Sequence, residues 1–286
     1  MKAATRKAIV QGVGFFMLRV AMALVLAVLF LFLYDIGKKG GGAISWEFLS
    51  QAPRKGMTEG GIFPAIVGTF LVTLITAVLS VPLGMCAAIY LNEYARQSRL
   101  TRLIRLSIRN LSGVPSIVYG LFGVILFVNI LHFGTSILSA GLTLGLMTLP
   151  WTITASEEAL KTVPNSYREG ALALGATKWQ TIRTNVLPYA VPGMLTGTVL
   201  GLARAAGETA PILFTGAAFY LPFLPKSLGD QFMALPYHLY IMATQHHAIQ
   251  QVRPLAYGTA LVLIALVLGM NMTAIILRYR LRRKQR

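Results

Sequence analysis

Two charged residues stand four positions apart inside a long apolar run, where charge is costly. The run Leu202-Ala203-Arg204-Ala205-Ala206-Gly207-Glu208-Thr209-Ala210-Pro211 gives a guanidinium and a carboxylate helical i,i+4 spacing, close enough to pair on one face. A lone charge at a bilayer centre costs about 2.5–3.5 kcal/mol even on an insertion scale, so such groups face a bundle interior or a water-filled path. Gly201, Ala203, Ala205, Ala206 and Gly207 allow neighbouring helices to approach closely around them. Two roles are open. Arg204 and Glu208 can neutralise each other and lock helix packing. Alternatively, Arg204 offers its planar fork to a tetrahedral oxyanion in a translocation path, and Glu208 holds it in place.

The remaining reactive residue types form no catalytic constellation. There is no Ser/His/Asp, phosphate-loop or zinc pattern, so the chain is not expected to be an enzyme, to hydrolyse ATP or to hold a cofactor or metal. His246-His247 has no Cys or carboxylate nearby, and one cysteine, Cys86, makes no internal disulfide and reads as a small packing residue. Ser112-Gly113-Val114-Pro115-Ser116 reads as an ordinary capped helix start with Pro115 near the first turn. The series Arg96, Arg99, Arg102, Arg105 and Arg109 makes a stripe suited to anionic headgroups.

The elements that position these residues follow from composition. Of 286 residues, 55% are hydrophobic and 12% charged, against about 25% charged in soluble domains. The net charge is +17, yet the basic residues fall between apolar runs, which excludes a soluble enzyme and argues against nucleic acid as a partner. A span needs about 20 mostly apolar residues, and six runs qualify: Phe15–Tyr34, Phe63–Leu91, Val114–Leu131, Ser136–Ala155, Tyr189–Thr215 and Leu255–Leu277. This predicts an all-α membrane protein with six transmembrane helices. The first run lacks a cleavage pattern and reads as an uncleaved anchor.

Lys and Arg between the runs set the orientation. One side holds eighteen, on the N-terminus, the second-to-third and fourth-to-fifth loops and the tail. The other holds six: Lys38, Lys39, Arg54, Lys55, Lys226 and Arg253. Both termini are therefore expected in the cytoplasm. The expected division is residues 1–62, an anchor helix and an outer segment with a flexible Lys38–Gly42 stretch, followed by a transmembrane domain over 63–286.

The loop at 156–188 is too long for a simple connector. Glu157-Glu158 opens it and favours a helix N-terminus. Asn165 or Ser166 then caps a first helix through Leu174, and Gly175 ends it. Thr177 caps a second helix that stops before Pro188. Ala171, Leu174, Trp179 and Ile182 supply apolar contacts. An amphipathic hairpin of this kind needs a partner.

In this loop Arg168-Glu169-Gly170-Ala171, then Gly175, then Leu187-Pro188, resembles the EAA loop of ABC-importer permeases. Gly170 stands where that pattern has Ala, and Asn185 where it has Ile. The resemblance implies the type I permease fold and assigns Arg168, Glu169, Gly170, Ala171, Gly175, Leu187 and Pro188 to a cytoplasmic helix that couples to an ATPase. The segment Ala203–Pro211 and the segment Val114-Pro115-Ser116-Ile117-Val118-Tyr119-Gly120-Leu121-Phe122-Gly123 are similar to phosphate-specific permeases of the PstA type. Sulfate and molybdate permeases share the Arg-Ala-x-Gly-Glu core, while Thr209-Ala210-Pro211 and the Tyr119 segment favour phosphate. Implied partners are a PstC-type permease as heterodimer, two PstB-type ATPases that use ATP with Mg, a PstS-type phosphate-binding protein, and membrane lipid.

Overall fold

The structure is a computed structural model and describes residues 2–283; Lys284 and Arg286 of the basic tail lie outside the described residues. The long apolar run near the N-terminus makes α1 (Lys2–Gly40), continued by a single 3-10 turn at Gly41–Ala43. The expected flexible stretch at Lys38–Gly42 is therefore ordered. The reason is a close crossing: a Cβ on Gly40 would meet the Tyr257 carbonyl oxygen at 2.6 Å, so only glycine lets this end of α1 rest on the chain near Tyr257.

A short helix α2 (Trp46–Ser50) follows, with the Ser45 hydroxyl accepting from the Phe48 N–H at 3.1 Å, an ordinary N-cap. A two-stranded ribbon, β1 (Pro53–Arg54) with β2 (Glu59–Gly60), then turns the chain into α3 (Phe63–Ile89). Pro64 lies in the first turn of α3, where its missing N–H costs nothing. Residues Tyr90–Tyr94 extend α3 as a π turn.

Ser98 caps α4 (Arg99–Leu111), which leads into α5 (Ser116–Gly123) and a π segment to Ile130. The two pieces are bent by 101°. The expected third span at Val114–Leu131 is thus a short helix with α4 folded away from it, because Gly113, Val114 and Pro115 interrupt the ladder. Tyr119 braces the bend by donating its hydroxyl to the Leu111 carbonyl at 2.9 Å.

The helix α6 (Ile137–Lys161), capped by Ser136, packs closely along α3. Gly84 of α3 faces Thr152 of α6, while Gly141 and Gly145 of α6 face Ile75 and Leu79 of α3, the small-residue contact that membrane helices favour. Three buried hydroxyls of α3 are satisfied locally: Thr69, Thr73 and Thr76 each donate to the carbonyl four residues back. Leaving such a group unpaired would cost about 1–3 kcal/mol.

The chain then forms α7 (Asn165–Ala173), α8 (Lys178–Thr181), a π turn at Ile182–Val186, α9 (Leu187–Ala206) and α10 (Ala210–Thr215). The short α11 (Leu235–Thr244) and the long α12 (Ile249–Arg283) complete the described residues. Among the described residues five helices are long and apolar enough to cross a membrane, or six if the bent α4–α5 pair counts as one span. Among the described residues three buried clusters hold the bundle. One joins α3, α6, α10 and α11 through Val72, Ile137, Leu144, Ile212 and Ile241, and a second joins the hairpin end through Ala88, Leu160, Val163, Val186 and Met194. The third joins Phe48, Ile62, Ala65, Met233 and Leu235. Cys86, expected as a small packing residue, lies on the exposed face of α3 within this chain.

At the end of the bundle opposite the hairpin, α11 lies outside the spans and carries a buried His238. Burial, and then the charge of His246, push its pKa down to about 4. Beside it His246 accepts the Ala248 N–H on Nδ1 at 3.0 Å. Its Nε2 therefore carries the proton and donates to the Gly56 carbonyl at 2.6 Å.

Candidate functional site

The hairpin begins later than expected. Helix α6 continues through Glu157 and Glu158 to Lys161, so both carboxylates lie near a helix C-terminus and not at a helix start. Charge pairing offsets the unfavourable dipole there. Glu157, 8% exposed, meets Arg105 Nε at 2.8 Å, although the N–H direction falls short of a hydrogen bond; Glu158 pairs with Lys161 at 2.8 Å. Arg105 also donates to the Leu91 carbonyl at 2.8 Å. One member of the arginine stripe is therefore turned inward and ties α4 to α3 and α6.

Pro164, with φ −58° and ψ 143°, stands at the N-cap position of α7, and no side chain caps the helix. Asn165 and Ser166 are already inside it, because the residue before a helical turn must be extended and Pro164 supplies that conformation. At the other end Gly175 has φ +82°. The Gly175 N–H donates to the Leu172 carbonyl at 3.0 Å and the Ala176 N–H to the Ala171 carbonyl at 3.1 Å. This is a Schellman closure, which needs a left-handed residue. Thr177 and Gln180 then form a capping box.

The second helix does not stop before Pro188. It passes through the π turn, where the Leu187 N–H reaches back five residues to the Ile182 carbonyl, and continues as α9. The widened turn accommodates a proline that has no N–H to give and a ring that crowds the preceding turn. Hydropathy missed this because residues 178–185 are mostly polar, yet they open the span Lys178–Ala206.

The hairpin presents two faces. Ala171 and Ile182 are buried. Glu169 and Gly170 are exposed, and so are Leu174, at 90%, and Trp179, at 53%. Leu187 is half-buried and Pro188 exposed at the root of α9. Of the four residues expected to supply apolar contacts, Leu174 and Trp179 point outward, which together with the exposed Glu169 leaves an apolar and acidic surface for a partner.

Arg168 turns inward. It donates to Glu93 Oε1 at 2.7 Å and Oε2 at 3.2 Å, to the Val163 carbonyl at 2.8 Å and to the Leu160 carbonyl at 3.1 Å. The side chains are 18% and 6% exposed. Arg168 is marked in the sequence by the motif it belongs to, whereas Glu93, 75 residues away, carries no local signal. Lys178 adds a second link, with its ammonium 5.0 Å from the Tyr94 ring.

The expected continuous fifth span is broken at Arg204 and Glu208. Helix α9 ends at Ala206, Gly207 caps it, and α10 starts at Ala210 with Pro211 in its first turn. Pro211 cannot donate to Gly207, and Gly207 itself is a weak helix former. Arg204 thus sits in the last turn of α9, where a cation suits the helix dipole. Its Nε lies 3.7 Å from Glu208 Oε1, too long for a hydrogen bond. Arg204 is 64% exposed and Glu208 17%. The carboxylate is held near and the guanidinium keeps donors for another acceptor.

A small cavity lies beside Arg204, lined by Ser112, Ser116, Tyr119, Thr148 and Trp151 among others. At about 30 Å³ it has room for water only, so a larger anion would meet Arg204 from its exposed side. Gly120 lies against Pro211 and Phe214, which seats the start of α5 beside α10. Trp151 donates to the Gly197 carbonyl at 3.1 Å and walls the arginine from the α6 side.

A helical membrane bundle with a helix–Gly–helix hairpin at one end and a broken, arginine-bearing span defines a permease of the type I ABC-importer class. Residues 80–286 match the binding-protein-dependent transport system inner membrane component family, and the chain belongs to that family. It is 32% identical over 246 residues to the probable ABC transporter permease protein YqgI of Bacillus subtilis, covering 82% of this chain and 83% of that one. It is 38% identical over 229 residues to the phosphate transport system permease protein PstA 1 of Mycobacterium tuberculosis, covering 79% and 72%. A bacterial ABC transporter involved in the import of the acidic polysaccharide alginate superposes with a TM-score of 0.63 at 15% identity, covering 92% and 95%. At that identity the likeness speaks for the fold alone.

Proposed function

We infer that this chain is the permease subunit of an ATP-driven importer that carries inorganic phosphate across the cytoplasmic membrane. The observation that carries this reading is the exposed Arg204 guanidinium at a span break, in a chain 38% identical to a phosphate permease over most of its length. Arg presents several N–H donors in a plane, which suits a tetrahedral oxyanion. Glu208 orients it without consuming those donors.

The sequence carries no nucleotide-binding pattern, so the motor is a separate chain. The working assembly is this subunit with a PstC-type permease, two PstB-type ATPases below and a PstS-type binding protein above. The basic loops put both termini and the hairpin in the cytoplasm. Binding of ATP with Mg closes the ATPases on the surface formed by Glu169, Gly170, Leu174 and Trp179 and moves the hairpin. The spans then rock toward the outside, and the binding protein releases phosphate into a path at Arg204.

The test is labelled-phosphate uptake in cells lacking this chain, restored with the wild-type gene, with excess sulfate and molybdate as competitors. Restored uptake that both competitors leave unchanged supports phosphate. Uptake abolished by either competitor would reassign the substrate to that oxyanion, whose permeases share the Arg-Ala-x-Gly-Glu core.

A further inference from the structure

Between the hairpin and the spans lies a buried ionic joint between Arg168 and Glu93, of which the expected coupling residues include only Arg168. Arg168 leaves α7 facing inward and grips three separate pieces of chain: the carboxylate of Glu93 in the π turn after α3, the Leu160 carbonyl in the last turn of α6, and the Val163 carbonyl in the turn between α6 and α7. The Val163 and Leu160 contacts join residues near one another along the chain and would exist for folding alone. The Glu93 contact is different in kind. It spans 75 residues, is bidentate and is 6% exposed on the carboxylate side. Asn92 donates to the same carboxylate at 2.8 Å, so Glu93 is held from two sides.

We propose that Glu93 is the positioning residue through which the hairpin moves α3. This rests on the reading of the hairpin as the surface that receives the ATPase. A bidentate Arg–carboxylate pair fixes distance and angle together, so a displacement of α7 is handed to the end of α3 without slack. Helix α3 packs along α6 over most of its length, and Arg105 extends the joint. It meets Glu157 of α6 and the Leu91 carbonyl beside Glu93. Since Arg105 lies on α4, the same block reaches the α4–α5 bend and the Ser112 and Ser116 side of the cavity at Arg204. One contact near Glu93 thus links the surface that meets a motor to the residues around the anion.

The alternative is a fold anchor with no part in transmission, and the two differ in a ratio. The complete importer is reconstituted in vesicles with wild-type chain, Glu93→Gln or Glu93→Asp. Labelled-phosphate uptake and ATP hydrolysis are then measured on the same sample, with the amount of assembled complex. Glu93→Gln keeps an amide oxygen as acceptor and leaves Arg168 its two carbonyl acceptors. The unpaired Arg168 charge is then better satisfied than after truncation, and assembled complex is expected, in an amount the assay reads. We expect it to hydrolyse ATP while uptake per ATP falls by about 5-fold or more, the lower range of coupling between sites. Glu93→Asp keeps the carboxylate and recovers most of the ratio.

An unchanged ratio in Glu93→Gln overturns the proposal. So does a loss of uptake that only follows a loss of assembled complex in both variants, which makes the pair a fold anchor. If the wild-type importer moves another oxyanion in place of phosphate, the substrate assignment fails, and the same ratio measured with that anion still decides the role of Glu93.

Discussion

Arg168 donates to both carboxylate oxygens of Glu93, at 2.7 and 3.2 Å, and so fastens a surface helix to the end of a membrane span. The pair is largely removed from solvent. Breaking a buried pair by deleting one member strands the other charge, which costs about 3–5 kcal/mol. Arg168→Ala should therefore destabilise the chain by about 3 kcal/mol, read as a lower midpoint in thermal or denaturant unfolding in detergent. A midpoint equal to wild type would mean that Glu93 finds another partner.

Gly175 and Gly170 sit five residues apart in the hairpin and should respond oppositely to alanine. Gly175 has φ +82° with open space around it, so Gly175→Ala pays about 1–2 kcal/mol for the left-handed backbone alone. Gly170 lies inside α7, and a Cβ there meets nothing within 4 Å. Gly170→Ala should therefore stabilise α7 by up to about 1 kcal/mol. Paired unfolding curves check this, and a destabilised Gly170→Ala would contradict it.

His238 makes stability depend on pH. Its folded pKa of about 4 lies below the usual value near 6.5, so below pH 6.5 the unfolded chain takes up a proton that the folded chain refuses. The contribution is complete above pH 6.5 and is lost as pH falls toward 4, by about 3 kcal/mol in all. Thermal midpoints measured across that window should fall for wild type, and less steeply for His238→Gln. Parallel profiles would remove His238 as the cause.

The outward apolar pair on the hairpin gives a prediction about assembly. Leu174 and Trp179 are exposed at 90% and 53%, which is costly without a partner. Leu174→Ser with Trp179→Ser should leave the chain as stable as wild type in isolation but weaken capture of the ATPase subunits in a pull-down. Undiminished capture would move the docking surface elsewhere.

The parts of this fold that the sequence disclosed are those with local signals. Apolar length placed α1, α3, α6 and α12, and Gly175 and Thr177 placed the turn of the hairpin, whereas the Leu187-Pro188 pair did not end its second helix. Boundaries failed where polarity and helicity part company. The span opening at Lys178 is polar for its first turns, and Glu157 lies near a helix end because Arg105 compensates it. The break after Ala206 was hidden because i,i+4 spacing describes Arg204 and Glu208 only if the helix continues between them. Gly207 and Pro211 were the signs that it does not. Glu93 had no local sign at all, since its meaning comes from a partner 75 residues away.

On the proposed function, Arg204, which lies 3.7 Å from Glu208 and makes no hydrogen bond to it, meets the transported anion. Labelled-phosphate uptake by the reconstituted importer carrying Arg204→Gln tests this claim most directly, with assembly and ATP hydrolysis checked on the same vesicles. Loss of a charged hydrogen bond worth about 1.5–3 kcal/mol should lower uptake by about 10-fold or more, with the complex intact. Uptake at the wild-type level in Arg204→Gln would contradict the claim and leave Arg204 a packing residue.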